Sequence, residues 1–489
     1  MLCLRAIEMR VQIKRETEPG NSTPLRNEFV AVLLAIAVLT GCTVGPKYRK
    51  PAMPLPAAYR GSDHQQAEAR AASFADLPWW QVFQDPVLQD LIRRTLQHNY
   101  DLQLATERIS AARSQLTVTR SDQLPQVTVN GLATDGRFFN GGFAARTKYS
   151  SYAADATFQL DLFGGLRRAT ESARAQLLAT EYAQKTEILT LVSDLASDYF
   201  ALLALDLQLQ VTRQTVATQQ SAVKLTQLRL QHGVATKLDV LQAQQVLDTA
   251  NAQIPDLERQ IGQLEDAISI LLGDYPHDVV RGRSLLEQPI PPEVPAGLPS
   301  SLLAHRPDIS QAEQNLISAN AQIGVAKAAF FPQISLTGSG GGAAGRTTVF
   351  STLLNSNIGT WSYGANVTQP IFEAGRLRGN LRLAESQHRQ QLIQYKQAIQ
   401  GAFRDVSDAL IGYQKYHQVR VEQEITVKDL QASVDTSLKR YGGGITTYLE
   451  VLDGQRSLFN AELILAQARG NEYQSLVQLY KALGGGWQQ

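Results

Sequence analysis

Hydrophobic positions along this chain recur at two periods, and the two periods alternate twice. Over residues 87–120 the apolar side chains Leu88, Leu91, Ile92, Leu96, Leu102, Leu104 and Ile109 follow helical steps, which predicts a helix with one buried face. Pro125 then marks a change of state, because a helix cannot readily continue through it. Residues 151–162 alternate strictly. Tyr152, Ala154, Ala156, Phe158, Leu160 and Leu162 fall on one side; Ser151, Ala153, Asp155, Thr157, Gln159 and Asp161 fall on the other. Side chains of a strand point to opposite faces in turn, so this predicts a strand with one apolar and one small or polar face. Trp361, Tyr363, Ala365 and Val367, alternating with Ser362, Gly364, Asn366 and Thr368, predict a second such strand. Their partners are predicted at 126–133 and 333–340. The glycine-rich stretches 141–142 and 338–345 are expected as exposed loops or loosely packed strand ends.

After each strand pair comes a helical pattern of unusual length. Residues 165–231 hold no proline and no glycine beyond Gly165; as one helix they would span ~100 Å at ~1.5 Å per residue. Residues 375–440 repeat this with only Gly379, Gly401 and Gly412 inside. Apolar residues at three- and four-residue steps (Leu191, Leu195, Tyr199, Leu202; Phe403, Val406, Leu410, Tyr413) predict helices packed side by side. Gly233 and Gly442-Gly443-Gly444 end these runs, and shorter helices return over about 237–272 and 448–483. Pro255 predicts a kink in the first return helix, where the second has Ala466.

The two passes are copies of one unit. His98-Asn99-Tyr100-Asp101-Leu102 recurs as His305-Arg306-Pro307-Asp308-Ile309, and Leu124-Pro125-Gln126-Val127 as Phe331-Pro332-Gln333-Ile334, both at an offset of 207. Gly233-Val234-Ala235-Thr236 recurs as Gly444-Ile445-Thr446-Thr447, and Leu272-Gly273 as Leu483-Gly484, at 211; the second copy therefore carries four extra residues in its middle. Units this long exceed solenoid repeats of ~20–50 residues and predict two equivalent halves about a pseudo-symmetry axis. The expected organisation is a first repeat over 87–273, a proline-rich semi-rigid linker over 274–305, a second repeat over 306–484 and a short tail over 485–489. If the four strands span a membrane they cannot close a barrel alone, since about eight are needed and an open edge in lipid leaves backbone groups unpaired. Oligomerisation is then required: two copies would supply eight strands, three would supply twelve.

The N-terminus narrows the compartment. An apolar run over 29–39 has the length of a signal-peptide core and is too short to span a bilayer. It ends in Leu39-Thr40-Gly41-Cys42, which resembles the lipobox of bacterial lipoproteins. Residues 1–41 are thus expected to be a lipoprotein-type signal, with Cys42 the acylated residue carrying N-acyl and S-diacylglycerol groups. Beyond Cys42 the chain has no other cysteine, so a disulfide within the mature protein is excluded. Residues 42–86 are polar and proline-rich at first, then reach Trp79-Trp80 and Asp85-Pro86; they predict a lipid anchor and an extended arm. Thr43, not an aspartate, follows the cysteine, which favours the outer membrane by resemblance to sorted lipoproteins.

Charge and chemistry mostly exclude. The five basic and four acidic residues before Cys42 account for the formal +1, so the remainder is neutral and lacks the basic excess of a nucleic-acid binder. The seven histidines are scattered without metal-ligand spacing, and no phosphate-binding glycine loop ends in lysine. No enzyme constellation is present, and no cofactor beyond the lipid on Cys42 is expected. Met53 is the one methionine after the signal, so nothing suggests a thioether relay for copper or silver.

These features together resemble the outer membrane factor family, the TolC/OprM-like proteins of Gram-negative tripartite efflux systems, and more narrowly the NodT-type lipoproteins of resistance-nodulation-division (RND) pumps. The resemblance is carried by Cys42-Thr43-Val44-Gly45-Pro46-Lys47-Tyr48, by Arg306-Pro307-Asp308-Ile309, and by the stretch from Phe330-Phe331-Pro332-Gln333-Ile334 to Gly338. Pro370-Ile371-Phe372, Leu449-Glu450-Val451-Leu452-Asp453-Gly454-Gln455-Arg456 and Tyr480-Lys481-Ala482-Leu483-Gly484 complete it. His305 departs from the pattern, which more often has a basic residue there. The resemblance implies an α+β membrane protein: a homotrimer whose twelve strands form an outer-membrane β-barrel continued by a long periplasmic α-helical barrel. It implies docking on a periplasmic adaptor (membrane-fusion) protein and an inner-membrane RND pump, and passive export of small toxic molecules. A type I protein secretion duct is the alternative within the class, disfavoured by the lipid anchor. A non-conducting envelope scaffold is the alternative outside it, disfavoured because a scaffold has no use for strands with a lipid-compatible face. The two tips, 231–237 and 441–448, are expected to contact the adaptor through Gly233, Val234, Thr236, Gly444, Ile445 and Thr447. Leu449, Asp453 and Arg456 match the family's periplasmic gate positions. At the offset of 211 they align with Leu238, Gln242 and Gln245, so only the second repeat places a charge pair there.

Overall fold

The structure, a computed structural model, describes residues 43–54, 56, 59–60, 77–140, 143–289, 302–345 and 359–485. Elements follow in the order α1 (Trp79–Val82), α2 (Pro86–His98), α3 (Tyr100–Ser121), β1 (Gln126–Asn140), β2 (Phe143–Leu160), α4 (Gly165–Gln231) and α5 (Lys237–Leu272). The second half gives α6 (Leu302–His305), α7 (Pro307–Ala328), β3 (Gln333–Gly345), β4 (Gly359–Thr368), α8 (Arg376–Gly442) and α9 (Tyr448–Leu483). The two passes of the sequence are two passes of structure. The repeat is echoed in left-handed glycines at matching positions: Gly164 and Gly375 open the long helices, and Gly273 and Gly484 close the return helices.

Helices α4 and α8 are each 67 residues long. The predicted stripe on α4 is buried, with Leu195, Tyr199 and Leu202 fully inaccessible and Leu191 nearly so; on α8, Val406 and Leu410 are buried and Phe403 and Tyr413 are partly so. These residues meet Ile309 and Leu316 of α7 and Leu476, Val477 and Tyr480 of α9 in one main core midway along the long helices. A smaller core of Val216, Val223, Leu247, Val451, Leu452 and Phe459 binds the far ends together. At roughly 1.5–3 kcal/mol for each fully buried large apolar side chain, helix pairing rather than helix propensity holds this shape.

One expectation needed correction, and two others gained detail. The single helix over 87–120 is two helices, because Asn99 caps α3: its side-chain oxygen accepts from the N–H groups of Asp101 and Leu102, while its amide donates to the Leu271 carbonyl. Asparagine competes with the helix for backbone partners and is favoured at such starts. Of the two readings of the glycine-rich stretch 338–345, the strand end holds: it is the far end of β3, hydrogen-bonded to β2. Its glycines permit close approach: a Cβ on Gly341 would fall on the Tyr152 carbonyl. The described part of the connector, 274–289, is non-helical and packs on the body. Val279, Leu285 and Gln288 are buried, and the carboxylate of buried Asp85 accepts from Tyr199 Oη at 2.9 Å, Gln288 Nε2 at 2.6 Å and the Arg283 N–H at 3.2 Å. Helix α5 continues through Pro255, which lies on its exposed side.

Candidate functional site

The four strands form one antiparallel sheet in the order β1-β2-β3-β4. Register decides its two faces. Thr128, Asp155, Ser339 and Ser362 lie in one row across the sheet, and Val127, Ala156, Gly338 and Tyr363 in the neighbouring row. Because successive residues point to opposite sides, one face collects Val127, Val129, Tyr152, Phe158, Leu336, Trp361, Tyr363 and Val367, and the other collects Thr128, Asn130, Asp155, Thr157, Ser335, Thr337 and Asn366. Trp361 and Tyr363 are 78% and 83% exposed within a single chain, a state that water disfavours and lipid relieves. Asp155 is the sole charged residue in the polar set among the described residues and accepts from Asn130 Nδ2 at 2.8 Å. Strands β1 and β4 are both open edges.

Cys42 lies outside the described residues. The residues after it are fixed where the sheet becomes helix. The Val44 N–H donates to the Phe163 carbonyl at 3.0 Å, Asn320 Nδ2 donates to the Pro46 carbonyl at 3.0 Å, and Thr43 abuts Gly164. Phe163 and Phe331 stack at 4.6 Å on the same level. The aromatic pair marks the membrane-proximal end of the helices.

At the opposite end both predicted tips are helix reversals with one geometry. Gly233 and Gly444 adopt φ near +73° and +72°, and the next residue's N–H reaches back five residues, Val234 to Arg229 and Ile445 to Arg440. Glycine suits this left-handed position because a Cβ would be strained there. Val234 and Ile445 are left 64% and 72% exposed. Thr236 forms a capping box with Asp239, whereas Thr447 occupies the same cap position without a side-chain bond. Arg229 lies 4.4 Å over the Tyr441 ring and couples the two tips.

Leu449, Asp453 and Arg456 fall on one stripe of α9, turned away from the buried Val451 and Leu452. Leu449 is 57% exposed, as its counterpart Leu238 is 62% exposed. Asp453 and Arg456 approach to 4.0 Å with side chains 73% and 66% exposed. Inside one chain this is a loose surface pair worth a few tenths of a kcal/mol. Nearby, Glu450 is held below the usual carboxylate range, chiefly by the Thr446 hydroxyl, with Arg440 at 3.7 Å adding to it.

One polar cluster escaped the sequence. Buried Glu472 of α9 accepts from Arg420 and contacts His417 of α8, and Arg420 and Arg469 both bind Glu424. These partners are separated by up to 55 residues, so no local motif announces them. Among the described residues no group of three His, Cys, Asp or Glu side chains could hold a metal ion.

A lipid-compatible sheet continued by helices of this length describes a membrane duct with a periplasmic extension. The sequence matches the family described as outer membrane efflux protein twice, over residues 91–274 and 298–485, one match per structural repeat. It is 35% identical over 455 residues to the cation efflux system protein CusC of Escherichia coli O6:H1, covering 92% of this chain and 97% of that protein. It is equally 35% identical over 469 residues to the solvent efflux pump outer membrane protein SrpC of Pseudomonas putida, covering 93% and 97%. Among solved structures, the outer-membrane channel OprN superposes with a TM-score of 0.83 at 31% identity, covering 91% of this chain and all of that one. The open-state MtrE outer membrane channel of Neisseria gonorrhoeae gives 0.82 at 29%, covering 91% and 99%. The chain belongs to the outer membrane efflux protein family: it is an outer-membrane channel that extends into the periplasm, not an enzyme.

Proposed function

We propose that three copies of this chain close a twelve-stranded barrel and a continuing helical tube, which serves as the passive outer-membrane duct of a tripartite RND pump. The observation that requires several copies is the four-stranded sheet with two open edges; the number three follows the family resemblance. Four strands are too few for a barrel, and edges are intolerable in lipid, so β4 of one copy pairs with β1 of the next. Exposed Leu383, Ile393, Val419 and Ile425 along α8 are apolar surface for the neighbouring helices to cover. The tips at Val234 and Ile445 dock a periplasmic adaptor, which links the duct to the inner-membrane pump.

The cargo is small toxic molecules chosen by the pump. Relatives at the same identity are named for cations and for solvents, so resemblance at this level follows the duct and not its content. Cys42 carries the lipid; the docking of Thr43 and Val44 beside Phe163 supports an anchor at the inner leaflet. Mass spectrometry of the mature N-terminal peptide is expected to find acylated Cys42. An unmodified residue 42, or cleavage elsewhere, would refute the anchor.

In the trimer three copies of the Leu449–Asp453–Arg456 stripe converge on the axis. There Leu449 narrows the aperture, and Asp453 and Arg456 bond to neighbouring helices. Planar-bilayer recordings test duct and gate together. The parent trimer is expected to conduct weakly, and Asp453→Ala with Arg456→Ala to conduct several-fold more. A double variant indistinguishable from the parent would reduce the pair to surface decoration, and a protein that inserts but never conducts would remove the duct reading.

A further inference from the structure

The lipid-facing side of the sheet ends in a cluster of charge that the export function does not use. On β1 and β2, Asp135, Arg137, Arg146 and Lys148 share the face that carries Val127, Val129, Tyr152 and Phe158, because Asp135 opposes Lys148 and Arg137 opposes Arg146 in the register. Arg146 grips Asp135 through two bonds of 2.8 Å, and Lys148 stands 3.4 Å from the same carboxylate. Arg137 is exposed, and among the described residues no carboxylate pairs with it. Three cations thus face one anion. Two of those cations lie directly across the strand pair, an arrangement that destabilises a sheet unless a further negative charge joins it.

Depth fixes what that charge belongs to. From Leu160 to Ser150 the strand climbs ten residues, ~34 Å along its axis at ~3.4 Å per residue. A barrel tilt of about 40° reduces this to roughly 26 Å of height, matching the ~25 Å apolar band of outer-membrane barrels. Lys148 is two residues further on, followed by Arg146, so the charges begin where hydrocarbon ends. The arm and the Phe163–Phe331 stack lie at the opposite, periplasmic end of the same strands, so this cluster lies at the outer leaflet.

From this geometry we infer that Arg137, Arg146 and Lys148 form a binding site for the phosphate groups of an outer-leaflet lipid, whose acyl chains lie along the apolar band beneath. Guanidinium groups match phosphate oxygens in paired hydrogen bonds, and Lys148 supplies a compact charge beside them. The inference rests on the barrel reading, and each trimer would carry three such sites.

The test uses the purified full-length trimer in detergent, with binding of bisphosphorylated lipid A followed by native mass spectrometry. The same lipid stripped of its phosphates is the comparison. Arg137→Gln with Lys148→Gln leaves the Asp135–Arg146 pair intact and is expected to weaken binding about ten-fold, ~1.4 kcal/mol. The charge-conserving Arg137→Lys with Lys148→Arg should bind like the parent. Equal affinity of parent and double-glutamine variant, equal affinity for the two lipids, or displacement of the lipid by millimolar inorganic phosphate would each overturn the site. Trimer mass in the same spectra separates this from failure of the barrel reading: loss of the trimer in the parent indicts the barrel, while an intact trimer without phosphate preference indicts the site alone.

Discussion

At the scale of single residues, positions that end one element and start another do the most to set this shape. Asn99 caps α3 with two backbone bonds and simultaneously holds the end of α5 through the Leu271 carbonyl. Arg306, at the equivalent point of the second repeat, solves the same problem with charge: it binds Asp308, Asp405 and the Ala482 carbonyl, the last being the end of α9. Removing the Asn99 side chain strips both functions from a buried site. Asn99→Ala is expected to cost ~1–2 kcal/mol and to lower the Tm of the purified protein, while Asn99→Asp, which keeps the capping acceptor, should recover part of the loss. Equal melting of parent and Asn99→Ala would show the cap to be dispensable. The recurrence of residues 98–102 at 305–309 was legible as a repeat, but not as a helix break. Cap and continuation differ only in whether the asparagine oxygen finds a backbone N–H, and apolar spacing over 87–120 does not encode that.

At the scale of elements, period and punctuation carried most of the information. Helix α4 has the bounds expected from the absence of proline and glycine, and α8 differs from its expected bounds by one or two residues. The strands were legible where apolar and polar residues alternate; where glycine replaced them, loop and strand end stayed open. The stretch 338–345 has no side-chain pattern to read, and its strand character comes from pairing with β2. The tips were legible because a left-handed turn demands glycine. Their chemistry was less so, since the Arg229–Tyr441 contact joins residues of opposite repeats. Because Val234 and Ile445 project from the reversals mostly exposed, they can change with little harm to the fold. Val234→Glu and Ile445→Glu are expected to abolish most efflux in a susceptibility assay while leaving trimer yield in the outer membrane at the parental level. Full efflux with both replacements would make the tips plain turns.

At the scale of the whole molecule, three copies multiply whatever a single chain places on the inner wall. Asp155 is the lone charge among the described residues of the polar sheet face, so closure produces a ring of three carboxylates inside an otherwise neutral barrel. A ring of that sign favours cations. Under a potassium chloride gradient the parent channel is expected to show a cation-selective reversal potential, and Asp155→Asn to move it toward zero; an unchanged potential would place selectivity elsewhere. None of this was visible in a single strand, because the ring exists only once register, face and copy number are combined.

The main core grips α4 around Leu195, whereas the tip begins beyond Gln231, so ~54 Å of helix, paired with α5 and α9 through the smaller core, extends past the fulcrum at ~1.5 Å per residue. A helix this long is a lever. Tilting it by about 5° at the core would sweep the tip through roughly 5 Å, close to one helical pitch. Small adjustments among packed side chains at mid-height are thereby magnified at the mouth. The packing near Leu195 and Val406 can stay close to its resting arrangement while the aperture far below it widens.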